Sequence, residues 1–483
     1  MGMTWAAGIL AVGAPAENYV PPAWSAAPFV ALLLAIALLP LIPACHRFWQ
    51  HNRNKLLIAL ALSLPVGLFY GLAHPGTMFL EHGQYAAIGA GWPMLIHQLR
   101  AALLDEYLPF IVLLFALYTI SGGIQLRGDL PAHPRTNTLF LAVGAVLANL
   151  IGTTGAAMLL IRPLLQTNSQ RRHVKHTVIF FIFLVCNIGG CLLPIGDPPL
   201  FLGYLRGVSF FWTLGLAGKW LCCVGLLLGI YYIWDVRAYR RESPGTIARD
   251  QAVVQPLRLA GKINLLYLAG VVGAVALLVP GQPILPRYLG ELSRAVVPDF
   301  LRELVMLGLA GLSLLTTPAG IRRANHFNFA AIAEVAALFL GIFITMQAPI
   351  EMLKVQGPSL GLTQPWQFFW ASGGLSSFLD NAPTYVVFFE TAGTLPVAPG
   401  AGVTALLGGG RIATDLLVAL SLGSVFMGAN TYIGNGPNFM VKAIAQERGV
   451  RMPSFLHYMA YSACVLLPVF ILLTFVFFVL RWV

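Results

Sequence analysis

Long apolar stretches separated by short polar loops dominate the chain, and a helix needs about 20 apolar residues to cross a membrane. Ten stretches are predicted to span, namely 28–46, 55–73, 105–125, 174–206, 209–235, 262–280, 303–318, 328–350, 412–446 and 454–481. A short helix lying at the membrane surface is expected within the loop 74–104. The pattern predicts an all-α polytopic membrane protein.

Two of these stretches, 174–206 and 412–446, are too long for a single span because each contains helix-breaking glycines and prolines. Residues 187–201 read NIGGCLLPIGDPPLF, and residues 430–439 read NTYIGNGPNF. Alignment of the two segments matches Ile, Gly, Pro and Phe, with Asn435 opposite Asp197. The chain is therefore interpreted as an internal duplication with a broken helix in each half.

Two further apolar stretches, 137–166 and 365–391, are interrupted at their middle by GTTG (152–155) and DNAP (380–383). Each arm has roughly 9 to 15 residues, fewer than the number that spans a bilayer. Both stretches are predicted to be re-entrant hairpins, which enter and leave the membrane on the same side.

With both hairpins re-entrant, most of the 29 Lys and Arg residues fall on one side, which the positive-inside rule identifies as cytoplasmic. The predicted layout has ten spans and two hairpins in two inverted repeats, 21–236 and 262–483, joined by a cytoplasmic linker, 237–261. Both termini are then external. Residues 1–20 contain a signal-like segment without a basic start, and the sequence leaves cleavage within residues 1–16 open.

Composition narrows the function. The chain is 58% hydrophobic and only 10% charged, with a mean hydropathy of +0.78, which excludes a soluble globule. The net charge of +11 is attributed to topology rather than to nucleic-acid binding. The six cysteines lie mostly in apolar segments, so no disulfide scaffold or zinc site is expected, although Cys186 and Cys191 leave a thiophilic substrate open. No hydrolase or nucleotide-binding motif is found, so neither enzymatic activity nor a cofactor is predicted.

Broken helices at membrane depth persist where protein or a watery cavity satisfies their backbone, as in the central sites of secondary transporters. The candidate substrate and ion ligands are the polar residues at the four interruptions: Thr153, Thr154, Asn187, Asp197, Asp380, Asn381, Thr384, Asn430, Asn435 and Asn438. Two aspartates favour a cation or a proton. A purely structural role as a helix cap stays open for both Asp197 and Asp380.

The NIGG…IGDPP run at 187–199 and the LDNAPT run at 379–384 resemble the paired motifs of the ion-transporter superfamily. The chain most resembles its subgroup of citrate transporters and sodium/proton antiporters, over essentially all residues after about 20. The resemblance implies an ion and substrate site at Asp380, Asn381 and the two breaks, a homodimer and a location in a bacterial-type inner membrane. The tips lack the Ser-Asn-Thr of the dicarboxylate branch, and the first tip lacks the acid of the antiporter branch.

The leading hypothesis is exchange of sodium, or another monovalent cation, for protons by alternating access. Asp380, Asn381 and Asp197 would bind sodium, with proton competition at the two aspartates and the other polar residues as neutral ligands. Replacing Asp380 with Asn is expected to abolish exchange. The alternative is cation-coupled transport of an organic anion such as citrate, with arsenite a less favoured substrate.

Overall fold

The computed structural model describes residues 19–79, 85–283, 296–397, 402–407 and 409–480. Residues 1–18, which hold most of the signal-like segment, lie outside the described residues. The described chain is predominantly helical, with three short antiparallel ribbons.

The described residues of the first half contain nine α-helices: α1 (Ala27–Leu38), α2 (Pro43–Trp49), α3 (Asn52–Leu68), α4 (Trp92–Arg100), α5 (Leu108–Ser121), α6 (Pro134–Thr167), α7 (Lys175–Leu184), α8 (Pro198–Leu205) and α9 (Ala217–Tyr239). The remainder of the described chain contains α10 (Pro244–Ala252), α11 (Ile263–Leu277), α12 (Leu301–Thr316), α13 (Ala319–Ala324), α14 (Ala330–Thr345), α15 (Gln347–Gln356), α16 (Pro365–Ser376), α17 (Asn381–Gly393), α18 (Thr414–Phe426), α19 (Gly436–Glu447) and α20 (Phe455–Leu473).

Each ribbon pairs two short strands: β1 (Thr77–Phe79) with β2 (Tyr85–Ala87), β3 (Gln125–Asp129) with β4 (Gln255–Ala260), and β5 (Val403–Ala405) with β6 (Arg411–Ala413). Tighter 3₁₀ turns and wider π turns extend several helices. The π turns are Phe69–Ala73, Ala101–Tyr107 and Thr474–Val479; the 3₁₀ turns at the two breaks are Ile188–Cys191 and Met427–Asn430.

Five helices in the described part of the chain are long and apolar enough to cross a membrane: Asn52–Ala73, Trp92–Ser121, Pro134–Thr167, Trp212–Tyr239 and Phe455–Val479. The pair Ala330–Thr345 and Gln347–Leu360, bent by 41°, is a sixth candidate. These helices confirm the prediction of an all-α polytopic membrane protein. The count of ten spans stays a prediction, since α11 and α12 coincide with predicted spans but have only 15 and 16 residues.

Helix α6 covers the first predicted hairpin and is broken at Gly152, whose backbone angles (φ 73°, ψ 155°) are not helical. A straight helix would separate Asn137 from Asn168 by about 45 Å. Instead their side-chain amides exchange two hydrogen bonds of 2.9 Å. The two arms of α6 therefore fold back on each other, with the bend at Gly152. That this hairpin is re-entrant in the membrane stays a prediction.

Helices α16 and α17 form the second predicted hairpin, with its tip at residues 377–380. The rings of Phe368 and Phe388, one from each arm, lie 6.2 Å apart between centroids. A capping box at Gln364 and Gln367 starts the first arm. Asp380 caps the second arm, since its side chain accepts a hydrogen bond from the Ala382 N–H.

The two overlong stretches are each interrupted, one between α7 and α8 and the other between α18 and α19. Both breaks have the same local geometry. Asp197 and Asn435, the residues aligned from the sequence, have φ/ψ of −145°/143° and −154°/141° and directly precede α8 and α19. In each break two glycines six residues apart lie in close backbone contact, Gly190 with Gly196 and Gly428 with Gly434.

The broken helices occupy the centre of the molecule. Residues 176–184 of α7 and 419–426 of α18 are buried without interruption, whereas an amphipathic helix at the surface would bury only one face. Large apolar side chains are exposed instead on the surrounding helices, among them Leu64 of α3, Leu221 of α9 and Leu315 of α12. The centre is therefore enclosed by protein, and the outer helices present the apolar surface.

The short surface helix expected within residues 74–104 is a wrong prediction. Helix α4 continues through the turn Ala101–Tyr107 into α5 as one helix, Trp92–Ser121, of 30 residues. Its polar residues resemble a loop in the sequence, but Glu106 is half-buried and forms an ion pair of 2.7 Å with Arg206. The partner that makes this acid compatible with a helix is 100 residues away in the chain.

The linker between the two halves is structured rather than a bare solvated connector. It contains α10 and β4, and β4 pairs with β3 in the first half. The Asp250 carboxylate accepts a hydrogen bond of 2.8 Å from the Ala132 N–H. Burial raises the pKa of this carboxyl above its usual range. The linker thus packs against the loop that precedes the first hairpin.

Most basic loops that the sequence places on one side contact one another. Asn325 donates to the Ile124 carbonyl (2.7 Å), and Arg171 forms an ion pair of 2.6 Å with Asp235 at the end of α9. We call the region of these loops and the linker the basic end. Other polar contacts, such as that of Arg206 with Glu390 at 3.0 Å, form a separate group, the opposite end. Which end faces the cytoplasm stays a prediction.

Candidate ion-binding site

Asp197 directly precedes α8, and the sequence explains why its side chain is free to point elsewhere. Pro198 and Pro199 occupy the first two helical positions, so Pro199 removes one of the two N–H groups, at the second and third positions, from which a cap accepts. No side-chain capping bond is formed by Asp197. The alternative role of Asp197 as a simple helix cap is therefore not what the geometry shows.

The Asp197 carboxylate instead joins all four interruptions. One oxygen, Oδ1, accepts hydrogen bonds of 3.0 Å from Thr153 Oγ1 at the first hairpin tip and from Asn435 Nδ2 in the second break. The other, Oδ2, accepts a bond of 2.6 Å from Asn381 Nδ2 at the second tip. All four residues are buried, and Asp197 is only 2% exposed. We call these four residues the carboxylate hub.

Each member of the hub lies at the start of a helical segment. Thr153 begins the second arm of α6, Asn381 begins α17, and Asp197 and Asn435 precede α8 and α19. Helix N-termini carry partial positive charge and stabilise anions. The structure pairs Asp197 with no Lys, Arg or His among the described residues, so helix ends and neutral donors compensate its charge.

Three buried amide oxygens near the breaks and tips, those of Asn187, Asn381 and Asn430, have no hydrogen-bond partner among the described groups. Their nitrogens are engaged: Asn187 donates to the Ile182 carbonyl (2.8 Å) and to Asn438 (2.7 Å), and Asn430 donates to Ser377 (2.9 Å). An unsatisfied buried polar atom is costly. Amide and carboxylate oxygens are the ligands that hard cations prefer.

Asp380 stands apart from the hub. Its carboxylate is half-buried and accepts a bond of 3.0 Å from the Ala382 N–H, within its own helix. Thr384 Oγ1 donates to the Asp380 main-chain carbonyl at 3.0 Å. Asp380 and Thr384 thus shape the start of α17, and Asn381 between them carries the contact with Asp197.

A cavity of about 80 Å³ lies beside the first tip and the first break, with space for several water molecules. Its polar lining comes from Thr153, Thr154, Asp197 and Tyr118, and this is the location of half-buried Thr154. The rest of its lining is apolar side chains and backbone from α5, α6, α14 and the first break. Among the described residues, no Lys, Arg or His lines it.

Sequence reasoning missed two residues that hold the interruptions in place, Thr431 and Asn149. The Thr431 hydroxyl donates to the Ser377 carbonyl and accepts from the Ile433 and Gly434 N–H groups, joining the second break to the second tip. Asn149 Oδ1 accepts a bond of 2.7 Å from the Leu192 N–H. A lone Asn within the apolar arm of the first hairpin was the available signal.

The family described as "Putative citrate transport" matches residues 18–478. None of the curated proteins compared with the chain matches it. The match covers nearly the whole described chain, including both hairpins and both breaks. The protein belongs to this citrate-transporter-type family of the ion-transporter superfamily, and it is a secondary transporter of the membrane.

Proposed function

We propose that the protein exchanges sodium, or another monovalent cation, for protons by alternating access. The observation that carries this proposal is the carboxylate hub, a buried acid in one interruption held by donors from the other three, without a cationic partner among the described residues. An ionisable residue at membrane depth is costly and usually serves transport.

Proton and cation would compete for Asp197. A carboxamide donates its nitrogen to a carboxylate or offers its oxygen to a cation. With Asp197 charged and sodium bound, the unpartnered oxygens of Asn381, Asn187 and Asn430 supply neutral ligands. Protonation of Asp197 removes the charge that holds the cation, so the same site carries the two ions in turn.

Alternating access would come from movement of the hairpins and broken helices against the outer helices. The two halves would be inverted repeats. Supporting this, the open end of the first hairpin, at Asn137 and Asn168, lies near Asp235 of the basic end. The second hairpin places Glu390 against Arg206 at the opposite end. A homodimer in a bacterial-type inner membrane, with both termini external, completes the proposal.

The second candidate is cation-coupled transport of citrate or another carboxylate. The convergence of four helical N-termini favours it, because such ends bind carboxylates, and so does the family description. Against it, the Asp197 carboxylate already occupies the place where these ends meet, and no cationic side chain of the described chain lines the adjacent cavity. In this scheme Asp197 and Asp380 would bind only the coupling ion.

The test is proton flux in acid-loaded proteoliposomes that contain a pH-sensitive dye. Sodium, lithium, potassium, citrate and arsenite are added outside in separate runs. Alkalinisation with sodium or lithium, lost in Asp197→Asn, is the expected result. A signal that requires citrate, with no response to any cation alone, would replace the antiporter proposal by the carboxylate one, and a response to arsenite would replace both.

A further inference from the structure

A second and larger cavity, of about 620 Å³, lies at the basic end. The proposed exchange mechanism does not use it. It is formed by the loop before α7, the start of α7, the end of α9 and one residue of α20. Its lining residues are Arg172, His173, Val174, Lys175, His176, Ile230, Ile233, Trp234, Arg237, Ala238, Arg241 and Tyr461. We call it the basic pocket.

Four exposed cations, Arg172, Lys175, Arg237 and Arg241, line the basic pocket. The structure pairs none of them with a carboxylate among the described residues. Four uncompensated positive charges around one cavity create a strong local field for an anion. The cavity is therefore built for a negatively charged group.

The acids next to the pocket are already used. Asp235 is buried against Arg171 (2.6 Å) and His176 (2.9 Å). Glu242 is buried and accepts hydrogen bonds from the backbone N–H groups of Arg172 (3.0 Å) and His173 (2.8 Å). The second set of bonds also fixes the loop that carries Arg172. Neither acid is free to neutralise the four pocket cations.

The rest of the pocket is apolar and aromatic. Trp234 stacks on His176 at 6.1 Å between centroids and lies 6.0 Å from Tyr461. Ile233, beside Trp234, is 53% exposed on α9, a helix long enough to cross the membrane. Aromatic side chains and basic residues at the end of such a helix are typical of the headgroup level of a bilayer.

We propose that the basic pocket binds the phosphate of an anionic phospholipid, with the acyl chains along the exposed side of α9. Arg and Lys recognise phosphate through charge-assisted hydrogen bonds, and basic pockets between membrane helices bind such headgroups. A free phosphate shares the headgroup chemistry. The apolar side of the pocket selects the lipid, because acyl chains pack against Ile233 and Trp234 whereas a free anion does not.

Native mass spectrometry of the detergent-solubilised full-length protein tests the proposal, with phosphatidylglycerol or phosphatidylcholine added. The pocket variant carries Arg172→Gln, Lys175→Gln, Arg237→Gln and Arg241→Gln. The matched control removes four exposed cations outside the pocket: Arg53→Gln, Arg249→Gln, Arg323→Gln and Arg451→Gln. Two double variants, of residues 172 and 175 or of 237 and 241, take the place of the quadruple one should it not fold.

Wild type and control should retain phosphatidylglycerol in preference to phosphatidylcholine, and the pocket variant should lose this preference. Each removed cation should weaken retention by about fivefold. Equal loss in pocket variant and control would overturn the site in favour of diffuse surface charge. Displacement of the lipid by millimolar inorganic phosphate or citrate would overturn the lipid assignment and make the pocket a site for soluble anions.

Discussion

At the scale of single residues, the two aspartates at the interruptions have different surroundings, although their motifs look alike. Asp197 accepts bonds from three other segments, whereas the Asp380 side chain accepts only from its own helix. The environment assigns the central role in the proposed exchange to Asp197. The sequence favours Asp380, which follows a tip and fits the resemblance better.

Asp380→Asn should retain a large part of the exchange activity, because an Asn caps a helix as well as an Asp. Asp380→Ala should lose about 1 kcal/mol of stability through loss of the cap. Asp197→Asn should lower exchange by about 100-fold, the loss expected when a charged hydrogen-bond partner is removed. Dye-reported flux and thermal unfolding in detergent measure both effects. Abolished exchange in Asp380→Asn at unchanged stability would return Asp380 to the ion site.

Close backbone contact within the second break gives a separate residue-scale prediction. A Cβ on Gly434 would lie 2.6 Å from the Gly428 carbonyl oxygen, whereas a Cβ on Gly436 has open space. Gly434→Ala should therefore cost about 1–3 kcal/mol. Gly436→Ala, two residues away at the start of α19, is the matched control and should be tolerated. Equal melting temperatures for the two variants would show that the contact relaxes freely.

At the scale of elements, the open end of the first hairpin is held by a buried polar network. Four side chains there form hydrogen bonds with Asp235 or with one another: Asn137, Asn168, Arg171 and His176. The network ties both arms of α6 to α7 and α9. Its ion pair is almost fully buried, with side chains 2% and 0% exposed, and breaking such a pair leaves an uncompensated charge.

Asp235→Asn should therefore destabilise the protein by about 3–5 kcal/mol. The matched control is the pair of Lys55 with Glu334, in which Glu334 is 43% exposed. Glu334→Gln should cost less than Asp235→Asn, because water screens the exposed Glu334, although its partner Lys55 is buried. Thermal unfolding of both variants in the same detergent measures the difference. A shift for Asp235→Asn no larger than that of the control would remove the network from the forces that hold the hairpin.

At the scale of the whole molecule, polar contacts fall into two groups, the basic end and the opposite end. The linker, the loops around the first hairpin and the segment near Asn325 contribute to the basic end. The positive-inside rule then predicts that this entire end is cytoplasmic.

Cysteine labelling tests that orientation in intact cells, in a background with Cys45, Cys222 and Cys464 replaced by Ser. Ser359→Cys, in the turn before the second hairpin, should react with a membrane-impermeant maleimide from outside. Gln251→Cys, in the linker, should react only after permeabilisation. Both positions are exposed. The reverse pattern would contradict the orientation, and reaction of both from outside would contradict the layout of spans.

The sequence is sufficient to predict where the helices break, because glycine and proline within an apolar run interrupt a helix at their own position. The bend at Gly152 and the breaks before Pro198 and Pro437 are of this kind. It is insufficient for the hub, because an Asp before two prolines fits a cap equally well, and the deciding donors, Asn381 and Asn435, are distant in the chain. The sequence pattern fails to predict the long helix Trp92–Ser121 for the same reason, because the partner of Glu106, Arg206, is distant in the chain.

The carboxylate hub also has a consequence for biosynthesis. Its donors come from residues 153, 381 and 435, so only one of them is in place when the ribosome has completed the first half. A charged Asp197 entering the bilayer at that stage lacks Asn381 and Asn435, which makes early insertion of α8 unfavourable. We expect α8 to reach its final position in the membrane only after the second half has emerged from the ribosome. The two halves would then fold as one cooperative unit rather than in succession.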